Sequence, residues 1–116
     1  MVNNKWNSYL KELIDFSINI ESLTQNLSSI DWDYEPKKPI YLKISDIQSV
    51  LERYYIGEVS IKELIDWANL IEGRESLTYL EDESNKINDL IFYIANPEIN
   101  YSLDKNVINK ILLSKQ

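Results

Sequence analysis

The chain has 116 residues, 44% of them hydrophobic and 27% charged, a balance that suits one globular domain spanning 1–116 and leaves too little chain for two. It contains no cysteine and no histidine, which excludes disulfides, zinc ribbons, iron–sulfur clusters, cysteine nucleophiles, Ser-His-Asp triads and histidine metal sites. Nineteen acids against twelve bases give a net charge of −7, a balance that disfavours nucleic acid and anionic membranes as direct partners.

The start, Met1 to Ser8, has no apolar core of signal-peptide length, and nowhere do about 18 apolar residues run together. The expected location is therefore the cytoplasm, which suits a chain without cysteine. The abundance of isoleucine, asparagine and lysine, all encoded by AT-rich codons, hints at an AT-rich bacterial genome.

In chain order, apolar residues first recur every three or four positions. Trp6, Leu13, Ile20 and Leu27 form one row, and Tyr9, Phe16, Leu23 and Ile30 form the next. This predicts one amphipathic helix from near residue 4 to near residue 27, about 36 Å long. Ser28, Ser29, Pro36 and Pro39 then mark a loop over 28–44, ending in one short extended stretch near 40–44. Ser45 reads as an N-cap with Gln48 three residues on, and Ile47, Val50, Leu51 and Tyr54 share a face of the following helix. Gly57 ends it. Ser60 and Glu63 form a capping box opening a helix over 61–72, closed by Gly73, so that both glycines of the chain sit where a left-handed residue ends a helix at little cost. Ser84 is placed to cap a helix over 85–96, apolar on more than one side and therefore central. Ser102 is placed to cap the last, with Leu103, Val107, Ile108 and Ile111 inward. The expected fold is an all-α bundle of about five helices.

The charge is uneven. Between Ser45 and Glu83 ten acids face three bases, giving −7, while the remaining residues sum to zero. One reading is a solvated surface followed by an acidic loop. The other is a docking surface for a basic partner, whose association clustered acids accelerate. On the helix over 61–72, Ile61, Leu64, Ile65, Ala68 and Ile71 make the expected inner face. Glu63, Asp66 and Asn69 lie opposite, with Leu70 among them, Trp67 at the border and Glu58 just before. An apolar residue ringed by acids matches the anatomy of an interface hot spot. The candidate partner-binding residues are thus Glu58, Glu63, Asp66, Asn69 and Leu70. Trp67 is assigned to the core, as a tryptophan on a helix flank usually is.

No candidate catalytic, cofactor-binding or metal-ligating residue emerges. Asp31-Trp32-Asp33-Tyr34-Glu35 alternates acids like a calcium loop, but Pro36 and Leu42 stand where glycine and glutamate are required. Glu81-Asp82-Glu83 are adjacent and cannot converge on one ion. Glu63 and Asp66, three apart on an exposed helix face, lack the burial that separates two carboxyl pKa values for acid–base work. Two glycines at helix ends cannot build a phosphate loop. The chain reads as an interaction protein without enzymatic activity.

The segment from Val50 to Leu64, including Arg53-Tyr54-Tyr55-Ile56-Gly57-Glu58, continues through Asp66-Trp67-Ala68-Asn69-Leu70-Ile71-Glu72-Gly73-Arg74. Together with Ile94-Ala95-Asn96-Pro97-Glu98-Ile99 it resembles small helical immunity proteins of bacterial toxin–immunity pairs, including those of contact-dependent growth inhibition. The resemblance covers roughly residues 45–103. It implies a cytosolic protein without catalysis or cofactor that binds one cognate toxin domain and neutralises it by occlusion. Such toxins are often nucleases with basic clefts, which the acidic segment would complement. Two readings compete. One is an acidic regulatory or nucleic-acid-mimicking inhibitor of a DNA-binding protein; the other is a small helical enzyme or ligand carrier.

Overall fold

The computed structural model describes residues 2–96 and 105–113. Among them are six α-helices: α1 (Val2–Asp15), α2 (Ile20–Ser28), α3 (Ile44–Tyr55), α4 (Ile61–Ile71), α5 (Ser84–Ala95) and α6 (Lys105–Leu113). Two two-residue strands, β1 (Tyr41–Leu42) and β2 (Thr78–Tyr79), and a 3-10 turn over Glu81–Glu83 complete the described elements. The all-α expectation holds. No helix among the described residues is long and apolar enough to cross a membrane.

The expected single N-terminal helix is two. α1 stops at Asp15 and Phe16 takes a left-handed conformation, φ 48°. The Phe16 N–H then donates to the Leu13 carbonyl at 3.2 Å and the Ser17 N–H to that of Glu12 at 3.2 Å, closing the helix as glycine usually does. Asn19 caps α2, its side chain accepting from the Ser22 N–H at 2.8 Å. The break lets α2 pack against α1 and bring Leu23 and Leu27 to the same core as Leu10, Leu13 and Ile14. The apolar spacing continues in phase through the break, so periodicity alone reads one helix.

A left-handed non-glycine residue costs roughly 1–2 kcal/mol. Here that strain is offset by what the position permits. The Phe16 ring is buried, stacked on Trp67 with centroids 6.2 Å apart and planes 7° apart, and the Arg53 guanidinium lies 5.3 Å from its centroid. Arg53 also donates through Nη1 to the carbonyls of Phe16 (3.0 Å) and Asp15 (3.3 Å). The Trp67 Nε1–H donates to the Leu13 carbonyl at 2.6 Å. The Leu13, Asp15 and Phe16 carbonyls at the end of α1 thus accept from side chains of α3 and α4, which pins three helices together.

The expected extended stretch near 40–44 exists as β1, but it has a partner. β2 pairs with it in parallel, Tyr41 opposite Thr78 and Leu42 opposite Tyr79, with Thr78 N–H to Ile40 O at 2.9 Å and Leu80 N–H to Leu42 O at 3.0 Å. This pairing fastens the end of the 28–44 loop to the segment after α4.

Two expected caps move. α3 begins at Ile44, so Ser45 lies inside the helix. Instead the Asp46 carboxylate accepts from the Lys43 N–H at 2.9 Å, and Glu83 Oε1 accepts from the Ile44 N–H at 3.0 Å. Ser84 is the first residue of α5, which runs on directly from the 3-10 turn. Both glycines are left-handed as expected, Gly57 at φ 86° and Gly73 at φ 77°. After α3 the Gly57 N–H donates to Tyr54 O at 3.1 Å and the Glu58 N–H to Arg53 O at 2.8 Å. The expected cap Ser102, and Leu103 with it, lie outside the described residues; of the expected inner face of α6, Ile108 is buried.

α4 is buried along Leu64, Trp67, Ala68 and Ile71. Its inner arc is rotated from the expected one: Ile61 is exposed and Ile65 half-buried, while Trp67 is fully inside. α5 buries Ile87, Leu90, Ile91, Tyr93 and Ile94 and leaves Phe92 exposed, the two-sided burial of a central helix.

Candidate functional site

The outer face of α4 begins with its capping box. The Ser60 hydroxyl accepts from the Glu63 N–H at 3.1 Å, and Glu63 Oε1 accepts from the Ser60 N–H at 2.9 Å. These bonds from Ser60, its backbone N–H first, hold the Glu63 carboxyl below its ordinary pKa. One turn on, Asp66 pairs with Lys62 at 2.9 Å, and this hydrogen bond raises the lysine's pKa. Glu58 pairs with Arg53 Nε at 3.5 Å. All three acids of the expected partner surface therefore already engage neighbours in the chain. Glu63 in particular shapes the helix start, so it cannot be reversed to lysine without breaking a cap.

The other end of α4 differs. Asn69 is exposed and Leu70 is half-buried, packed against the core. Both line a cleft of about 430 Å³ between the C-terminal end of α4, residues 72–76 and residues 30–32 of the loop. Ile30 and Leu70 supply its apolar lining, and Trp32, 89% exposed, stands at its side. Asp31, Glu72 and Glu75 line it as well, against one base, Arg74. Arg74 is half-buried and its Nε donates to the Leu70 carbonyl at 2.9 Å, so its guanidinium serves the end of α4.

The structure thus gathers two of the five expected residues, Asn69 and Leu70, around one cleft. Glu58, Glu63 and Asp66 do not line it and lie toward the start of α4. Beside Glu58 the α3–α4 corner exposes Tyr55, Ile56 and Ile61, Ile56 by 71%. Trp67 belongs to the core, as expected. The residue that sequence reasoning missed is Trp32, considered there only within a failed calcium loop. Its signal was an aromatic flanked by Asp31 and Asp33 in a proline-bounded loop, where no periodic apolar partner exists to bury it. Among the described residues, no group of three His, Cys, Asp or Glu side chains is arranged to hold a metal ion.

No protein-family model, curated protein or solved structure matches the chain.

Proposed function

We propose that this protein is an immunity protein that binds a cognate bacterial toxin domain in the cytoplasm and neutralises it by occlusion, the toxin being a basic nuclease. The observation that carries this reading is the confinement of the whole net charge of −7 to residues 45–83. This one continuous stretch forms α3, α4, β2 and the 3-10 turn. Glu52, Glu72, Glu75, Glu81 and Asp82 within it are exposed. Such an excess of acid attracts a basic nuclease cleft at long range and raises the association rate. The resemblance of residues 45–103 to immunity proteins supports the same reading. The protein acts by covering a surface and transforms no substrate.

The test is co-purification with the product of the adjacent upstream gene, followed by an assay of that product's nuclease activity with and without this chain. Stoichiometric inhibition that weakens as salt rises is the expected result. An upstream product that neither binds nor is inhibited removes the proposal.

A further inference from the structure

We infer that the partner docks at the cleft beside Trp32, and that the cleft takes a cationic segment, an arginine or lysine laid against Trp32 with an apolar neighbour seated on Leu70 and Ile30. This rests on the proposed function for the identity of the partner, and on the cleft itself for the chemistry of its occupant.

Three observations carry it. The first is Trp32 itself. An indole 89% exposed to water leaves a large apolar surface unused by the fold, and tryptophan is among the residues that most often dominate binding energy at interfaces. The second is that the turn carrying Trp32 is held in place. The Tyr34 N–H donates to the Asp31 carbonyl at 3.0 Å, making a tight turn with Trp32 inside it. The Tyr34 hydroxyl donates to Asn7 Oδ1 at 2.6 Å, and the Tyr34 ring meets Trp6 edge-on, centroids 4.9 Å apart and planes 79° apart. The loop is therefore anchored to α1 on the side next to the exposed ring, so less ordering entropy opposes binding. Its seat is equally fixed, because Ile30 and Leu70 pack against the core.

The third observation is charge. Asp31, Glu72 and Glu75 line the cleft, and Glu72 is engaged by Asn96, at 3.3 Å. The one base, Arg74, donates through Nε to the Leu70 carbonyl and leaves the lining with an excess of acid, three carboxylates against one guanidinium. An aromatic face beside carboxylates favours a cation through both the ring quadrupole and Coulomb attraction. A second copy of this chain would bring another −7 to the contact and be repelled.

Two measurements decide the matter. Tryptophan fluorescence is titrated with hexa-arginine and with hexa-glutamate at low ionic strength, with Trp32→Phe as the control that must lose any change; Trp67 is buried and serves as a constant background. Hexa-arginine is expected to give a saturable change and hexa-glutamate none. The double variant Glu72→Gln/Glu75→Gln should weaken hexa-arginine binding at least tenfold. Glu52→Gln/Glu81→Gln, which removes the same charge elsewhere, should weaken it less than threefold. Equal weakening, or no saturable change, overturns the inference.

The second measurement uses the upstream toxin domain. Trp32→Ala should weaken its binding by about thirtyfold or more, the effect of losing a hot-spot side chain, whereas Ile56→Ala should change it less than threefold. A toxin domain that binds both variants like the parent overturns the docking site and leaves the proposed function standing. Failure of the toxin to bind at all removes the proposed function, and the peptide titration still decides what the cleft takes. Dimers in sedimentation that Trp32→Ala dissolves would assign the cleft to a second copy and overturn the inference.

Discussion

Two tryptophans, one in α4 and one in the loop after α2, are in opposite circumstances. Trp67, fully buried, stacks on Phe16 and gives its N–H to the Leu13 carbonyl, while Arg53 bonds the Asp15 and Phe16 carbonyls just beyond it. Trp32 stands exposed on a turn of the loop after α2, beside the C-terminal end of α4, with Tyr34 tying that turn to Asn7. The same side chain is structural in one place and available in the other. The difference comes from partners: the first has a helix end needing a donor and a ring needing a neighbour, whereas the second has an anchored turn and an open cleft. Removing Trp67 should damage the fold, and removing Trp32 should damage only binding.

The largest expected effect is that of Trp67→Ala, about 3–5 kcal/mol of stability for a large buried ring, measured as the shift in a urea transition. If its loss is no greater than that of Trp32→Ala, the contrast between the two sites is wrong. Trp67→Phe separates ring from donor. It keeps a ring to stack on Phe16 but leaves the Leu13 carbonyl with the Phe16 N–H alone and part of the indole's space empty, and should cost about 1–3 kcal/mol. A stability equal to the parent's would show that the 2.6 Å hydrogen bond adds nothing to the packing.

Ser60→Ala should cost about 1 kcal/mol through the lost cap, seen in thermal melts as a small drop. The reciprocal partner, Glu63, gives that cap a pH dependence. Its folded-state pKa is depressed from the ordinary 4.5, so its contribution is complete above that value and is lost as pH falls through the lower, folded-state one. Glu63→Gln should therefore flatten the acid limb of the stability profile; an unchanged limb would show that other carboxylates control it. The smallest effect belongs to Trp32→Ala, within about 0.5 kcal/mol of the parent in the same urea experiment, as for an exposed side chain without structural contacts. A larger loss would mean that the indole holds the loop.

Much of this was legible in the residues. The Ser60–Glu63 box, the glycine after α3 and the glycine after α4 are local signals, set by hydrogen bonds within a few residues and by the one side chain that tolerates positive φ freely. The inner faces of α3 and α5 followed from spacing. Phe16 was not legible, because a phenylalanine in the left-handed region makes sense only once Trp67 and Arg53, distant in sequence, are placed against it. Asp46 displaced Ser45 as the capping side chain because β1 runs to Leu42 and fixes where α3 starts, and β1 itself depends on a strand after α4. The inner arc of α4 turned toward Trp67 for the same reason: the end of α1 supplies both its stacking ring and its acceptor.

The candidate surface divides along the same line. Sequence alone determined an acidic, helical, histidine- and cysteine-free domain whose charge lies in one stretch, since composition and short-range periodicity need no folded chain to be read. Tertiary structure decided which of those acids are engaged within the chain. It also decided that Leu70, with Asn69 beside it, faces a cleft, and that an exposed tryptophan from a loop nearly forty residues earlier stands next to it. The physical reason is that caps and faces arise from neighbours along the chain, whereas a cleft arises from segments that only the packing of α1, α4 and the loop between α2 and β1 brings together.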